Sequence, residues 1–195
     1  MGHPWDARHR QPERDAPGLR CPRRRPARDP RRIAQQWVGL AFGLGYAAIY
    51  CGAAQRALDF AVEFCQTHRF EPDPEPRAHN PSVQQHVAEM AMALDGARLV
   101  LYQSASRWKE ADAARRAVLA ARAKYLATEA ALMVTSKAVQ IVGGRSVHRR
   151  CPLERLFRDV RTATLMPPSL DRSTEIIGKA VLGVRDDVLL ARHAG

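Results

Sequence analysis

Apolar positions recur every three or four residues along most of the chain, which is the period of amphipathic helices. No stretch of useful length alternates apolar and polar residues as a strand would. The pattern therefore predicts an all-α fold, an antiparallel up-and-down four-helix bundle. The predicted helices run from Ile33 to about Thr67, from Ser82, from about Ala113 to Val142, and from Asp171 or Ser173.

Each long helix has an apolar stripe that we expect to face the core. Ser82 is the expected N-cap of the second helix, with Gln85 at the capping-box position. The predicted stripes are Trp37, Leu40, Leu44, Ala48, Cys51, Leu58 and Cys65 in the first helix, Val87, Met90, Leu94, Ala97, Leu101 and Trp108 in the second, and Val118, Ala121, Tyr125, Thr128, Leu132, Thr135, Val139 and Val142 in the third.

Residues 1–32 differ in composition from the rest of the chain. They hold six of the thirteen prolines and ten arginines against four acids, with almost no aliphatic side chain. Such a segment buries too little apolar surface to offset the entropy of ordering, so it is predicted to be disordered. The bundle domain is accordingly predicted to span residues 33–190.

Residues 33–55 contain no charged side chain, and Gly39 and Gly43 form a G-x-x-x-G pair within them. A run of about 20 such residues is a candidate membrane anchor. Against this, the run contains three glutamines and four glycines, and its apolar stripe continues beyond the charges at Arg56 and Asp59. We interpret it as a helix buried in protein, with no membrane partner; a membrane-anchored helical protein is the alternative.

The chain has a net charge of +11, which raises the question of nucleic acid as a partner. Residues 1–32 carry +6 of this, and the remaining +5 is spread over a surface of mixed sign, so no nucleic-acid partner is expected. The four cysteines form no C-x-x-C pair and have no histidine at zinc-like spacing. They predict a reducing, cytoplasmic location and no metal site.

The stretch from Ala138 to Ser169 carries the most specific signal. An apolar run, AVQIVGG, ends in a glycine pair; a basic loop leads to a short charged helix, PLERLFRDV; and a second loop closes on Met166-Pro167-Pro168-Ser169. Glu154, Arg155, Arg158 and Asp159 have the spacing of i,i+4 ion pairs on that helix. Together with GAAQRALDFA at Gly52–Ala61, these strings resemble the C-terminal helical bundle of the acyl-CoA dehydrogenase family of flavoproteins.

The resemblance implies FAD as cofactor and an acyl-CoA-type substrate oxidised between its α and β carbons. It also implies a homo-oligomer, a dimer or tetramer, formed through the bundle. The family's N-terminal helical domain and middle β-domain have no counterpart in the sequence, so the chain is expected to be incomplete as an enzyme on its own.

Several cofactor-binding residues follow from the resemblance. Gln140, Gly143 and Gly144 match positions that in the family contact the FAD of a neighbouring subunit, although Ser146 replaces a further glycine. Ser169 holds the last position of the family's Y-E-G-T motif. Arg69 lies near the family's R-x-x-F-G arginine, but Glu71 replaces that glycine and the spacing differs.

No catalytic residue is assigned. The family's carboxylate base lies in Y-E-G-T, and the matching residue here is Pro167. Some members place the base on the first bundle helix, which corresponds to the vicinity of Phe42, where this sequence has no acid. The nearest acids, Asp171 and Glu175, are expected to serve the start of the last helix.

Three interpretations remain open at this point. The first is an acyl-CoA dehydrogenase-like domain, with a flavin-dependent monooxygenase-type relative, which needs no glutamate base, as its variant. The second is a non-enzymatic oligomerising helical module. The third is the membrane-anchored helical protein.

Overall fold

The computed structural model describes the backbone of residues 37–184 and the side chains of residues 40–184. The predicted disordered segment 1–32, the start of the first predicted helix and the end of the predicted domain, 185–190, lie outside the described residues. Trp37 belongs to the described backbone, but its side chain does not.

The described part of the chain is helical and contains no strand, which confirms the all-α prediction. Three long helices are followed by the short charged helix and a last helix of intermediate length, as the sequence indicated. The helices are α1 Trp37–Thr67, α2 Pro81–Ser106, α3 Ala113–Val142, α4 Pro152–Arg161 and α5 Leu170–Val181, with 3-10 turns at Arg77–His79, Gly143–Val147 and Thr162–Thr164.

Short polar side chains fix where three of these helices begin. The Asp112 carboxylate accepts a hydrogen bond from the backbone N–H of Arg115 at 2.7 Å, which caps α3. At α2 the predicted cap was wrong by two residues. The Asn80 side chain, not Ser82, accepts the first free amide at 2.9 Å, because Pro81 has no N–H and already has the φ of a helix.

Helix α3 is the centre of the molecule and contacts each of the other four helices. Sixteen of its thirty residues are buried, and eight of those are alanines, so neighbouring backbones approach it closely on several sides. The predicted stripe therefore describes only one of its packed faces. Val118, Tyr125, Leu132 and Val139 are half-buried, whereas alanines outside the stripe are fully covered.

Helix α1 packs along α3 through small residues. Its buried line includes Cys51 and Cys65, as predicted, together with several alanines, but Ala48 is exposed. A side chain at Gly43 would lie 2.9 Å from the Cβ of Ala120 on α3, so this glycine permits the close approach. Within residues 37–184, no helix combines the length and the apolar character needed to cross a membrane.

Candidate functional site

The glycine pair forms a well-defined corner at the end of α3. Gly143 has φ +74°, a conformation that side chains disfavour, and its N–H donates to the carbonyl of Val139. The hydroxyl of Ser146, which is fully buried, donates to the carbonyl of Gly143 at 2.6 Å. The serine that replaces the expected further glycine therefore locks the corner internally.

Next to this corner the surface is open. Apart from the adjoining backbone, no atom lies within 4 Å of the points where Cβ atoms on Gly143 and Gly144 would project. Gln140, one turn earlier, is exposed and forms no hydrogen bond with any described residue. The corner thus presents a free amide side chain beside a bare backbone, which fits the edge of a planar or ribose-bearing ligand such as FAD.

The basic loop and α4 border the corner. As predicted, Arg158 donates to Glu154 through two nitrogens, at 2.5 and 3.1 Å, and Arg155 donates to Asp159 at 3.1 Å. The hydrogen bond from Arg158 lowers the pKa of the Glu154 carboxyl, and Arg149 acts in the same direction at longer range. These pairs occupy the outer face of α4, while Leu153 and Val160 bury its inner face.

The second loop lies elsewhere on the bundle. Pro168 approaches Gly43 of α1 and the Ala120 side of α3, whereas Pro167 is exposed. Ser169 is half-buried, and its hydroxyl accepts from the backbone N–H of Arg172 at 3.3 Å, which makes it the N-cap of α5. The geometry therefore gives Ser169 a structural role, in addition to the cofactor contact that the resemblance implied.

The acids after this loop are poor candidates for a base. Asp171 is exposed in the first turn of α5, as expected for a residue that favours a helix start. Glu175 accepts from Lys179 at 2.7 Å and also pairs with Arg172. These hydrogen bonds lower the pKa of Glu175 to about 2, so its carboxylate has little affinity for a substrate proton.

Arg69 lies exposed just beyond α1 and has no ion pair or hydrogen bond from its side chain with the described residues. The neighbouring Arg77, which the sequence did not single out, is half-buried instead. Its guanidinium stacks at 4.3 Å from the ring centroid of Phe70. The loop after α1 thus anchors one arginine and leaves Arg69 in solvent.

Lys124 is the residue that sequence reasoning missed. It is fully buried in α3, and its amine donates to the carbonyl of Ala163 at 2.5 Å and to the hydroxyl of Thr128 at 3.1 Å. The same amine lies 5.3 Å from the ring centroid of Tyr50 on α1. Burial lowers its pKa to about 8. The one available signal was a lysine within an alanine-rich, core-facing run.

Four of the five predicted site residues form two groups, and the fifth, Arg69, lies in the loop after α1. Gln140, Gly143 and Gly144 lie together at the C-terminal end of α3, and Ser169 lies near the level of Ala120 in the N-terminal half of that helix. Ala120 and Gly143 are roughly 34 Å apart along the helix axis. Among residues 37–184, no three histidine, cysteine, aspartate or glutamate side chains are placed to hold a metal ion.

The chain is similar in sequence to known proteins. A family model described as "Acyl-CoA dehydrogenase, C-terminal domain" matches residues 43–182. The chain is 40% identical over 127 residues to a putative acyl-CoA dehydrogenase, YdbM, of Bacillus subtilis, a match that covers 64% of this chain and 33% of that protein. It is 36% identical over 122 residues to 3-sulfinopropanoyl-CoA desulfinase of Paraburkholderia xenovorans, covering 63% and 30%.

A solved structure shows the same likeness. Butyryl-CoA dehydrogenase from Megasphaera elsdenii superimposes with a TM-score of 0.71 at 29% identity, over 77% of this chain and 38% of that one. The chain spans about a third of the length of the curated relatives it matches. It belongs to the acyl-CoA dehydrogenase family and carries that family's C-terminal helical domain.

Proposed function

We propose that this chain is the flavin-contacting helical part of an acyl-CoA-oxidising flavoprotein, a CH–CH oxidoreductase by descent. The observation that carries the proposal is the open corner formed by Gly143 at φ +74° beside the exposed Gln140. When bound, FAD would supply the acceptor for hydride removed from an acyl-CoA. The chain's own contribution is to hold the edge of the cofactor through Gln140, Gly143 and Gly144.

A second copy of the chain is part of this proposal, as a dimer or tetramer. Helix α2 leaves Met92, Leu99 and Tyr102 largely exposed along one face, and α1 does the same with Phe42 and Ile49. Apolar faces of this kind are typical of interfaces. Trp108, which the sequence placed in the core-facing stripe of the second helix, is half-buried just beyond α2, with the Arg116 guanidinium 5.8 Å from its ring centroid.

The reaction is the second half of the proposal. An acyl-CoA dehydrogenation needs a base for the α proton, and the loop has Pro167 where the family has its glutamate. One relative is named a desulfinase rather than a dehydrogenase, so this fold serves more than one reaction on CoA thioesters. A chemistry without a carboxylate base, of the monooxygenase type or otherwise, is therefore the second candidate, and it is favoured by Pro167.

The cofactor contact is tested with Gln140→Ala. We expect the affinity for FAD to fall roughly fivefold, because one hydrogen bond to the ligand is lost. The side chain has no partner within the described protein, so thermal stability should not change. Quenching of flavin fluorescence on titration measures the affinity, and Gln103→Ala is the matched control, an exposed glutamine near the opposite end of the bundle. Equal affinities in all three proteins would refute the assigned contact.

The reaction is tested at Pro167. We expect slow or no acyl-CoA-dependent bleaching of added FAD by the native chain, because loss of a general base commonly costs about 10²–10⁴-fold in rate. Pro167→Glu should raise the rate, and Pro74→Glu, which adds the same acid to an exposed loop residue, should not. Rapid bleaching by the native chain would show that the base lies elsewhere or that a different reaction is catalysed.

A further inference from the structure

The surface beside the glycine corner carries positive charge that the acids among residues 40–184 do not fully neutralise. The loop 145–150 and helix α4 contain six arginines and only two acids, Glu154 and Asp159. Arg155 and Arg158 have those acids as partners one turn away. Arg145, Arg149 and Arg150 have no carboxylate within ion-pair distance among residues 40–184.

Part of this surface is concave. A hollow of about 580 Å³ is lined by Arg149, Glu154, Arg155 and Arg158. Three guanidinium groups, Glu154 and the Asp159 carboxylate that accepts from Arg155 leave this surface with a local charge of +1. A cavity of this volume is large enough for a nucleotide. The arginines are thus gathered around a cleft and not spread along a flat stripe of the kind that tracks nucleic acid.

The guanidinium groups are suited to phosphate. Arginine presents planar, paired N–H donors that match two oxygens of one phosphate group. Arg155 and Arg158 are held in place by their acids, which lowers the entropy lost when a ligand arrives. Arg149 lies close enough to Glu154 to lower the pKa of that carboxyl, yet it forms no ion pair with any residue of 40–184, so none of the described acids occupies its donors.

We propose that this hollow binds the pyrophosphate of an adenine nucleotide ligand, with Arg149 and Arg155 as the principal contacts. The identity of the ligand rests on the proposed function, because FAD and CoA both carry an adenosine pyrophosphate. The two sources differ in that CoA bears an additional 3′-phosphate. The proposal adds a site to the corner formed by Gln140 and the glycine pair, none of which lines the hollow.

The test uses the full chain and measures binding of ADP, FAD, CoA and riboflavin by isothermal titration at two salt concentrations. We expect ADP to bind to the native chain. The affinity for riboflavin, which has no phosphate, should be the same in the native chain and in the arginine variants. Arg149→Gln and Arg155→Gln should each weaken ADP at least about tenfold, the usual effect of losing a hydrogen bond to a charged group. Tighter binding of CoA than of FAD would identify CoA as the source, and the reverse would identify FAD.

Arg56→Gln is the control, since it removes the same charge from an exposed position on α1 that has no ion pair with the described residues. If Arg56→Gln lost as much affinity for ADP as Arg149→Gln and Arg155→Gln, net charge alone would attract the ligand, and the proposal would be overturned. So would absence of ADP binding, or tighter arginine-dependent binding of a short single-stranded DNA than of ADP.

The proposed function fails separately from this inference. If FAD binding depends on Gln140 but not on Arg149, the flavin contact stands and the pyrophosphate site is refuted. If ADP binding depends on Arg149 while FAD binds no better than ADP and is unaffected by Gln140→Ala, the site stands without the flavin contact.

Discussion

Deprotonation of Lys124 is expected to increase the free energy of unfolding of this protein as the pH rises from 8 to about 10.5. The pKa of the buried amine is lowered from 10.5 to about 8. Between those values the unfolded chain holds a proton on Lys124 that the folded chain has released, so the free energy of unfolding rises with pH. Below pH 8 both states carry the proton, and the cost of burying the charge is present in full. The shift sets a ceiling of about 3 kcal/mol for the gain.

Two buried thiols act in the opposite direction. Burial raises the pKa of Cys51 and of Cys65 above 9.0, so above that pH the unfolded thiols ionise first and stability falls. The comparison is therefore between the native chain and Lys124→Met, which keeps an unbranched side chain one atom shorter and removes the amine. Urea unfolding at pH 7, 8, 9 and 10 should show that the free energy of unfolding of the native chain increases relative to that of the variant as the pH rises. A constant difference would mean that Lys124 ionises normally.

The second large effect is expected where α1 crosses α3. Gly43→Ala should destabilise the protein by about 1–3 kcal/mol, because the added methyl group would lie 2.9 Å from the Cβ of Ala120 and neither helix backbone can yield locally. Gly45→Ala should instead stabilise it by about 0.5–1 kcal/mol, since that position is in the same helix and has nothing within 4 Å.

Chemical denaturation of the two variants measures this contrast directly. They differ by two positions in one helix and introduce the same methyl group, so helix propensity is the same for both. Destabilisation of equal size in both would show that α1 is sensitive to any substitution and that the contact with Ala120 has no special role.

Most of the fold was predictable because local patterns and tertiary packing agree. Helix α3 has the bounds that its periodicity indicated, from Ala113 to Val142, since Asp112 caps it and Gly143 ends it. The start of α2 was misplaced because two nearby polar residues, Asn80 and Ser82, are both good caps, and only the structure shows which amides are free. The burial of α3 on several faces was not predictable, because a helix of small residues has no single apolar side.

The site was predictable only in part. The conformation of Gly143 follows from the helix end before it, and the ion pairs of α4 follow from residues one turn apart. The position of Lys124 does not, because its partner Ala163 lies 39 residues away and contributes only a backbone carbonyl, which has no signature in a sequence. The hollow around Arg149 likewise depends on how the loop folds onto α4.

The length of α3 has a consequence for how binding must be measured. The corner at Gly143 and the loop at Pro168 are separated by most of this helix, roughly 34 Å. A single copy of the chain therefore cannot contact a ligand shorter than this distance through both. A ligand that touches both is held between two copies. The bound fraction of such a ligand depends on the concentration of the protein as well as on that of the ligand. Dilution of the chain at fixed ligand concentration will therefore release the ligand.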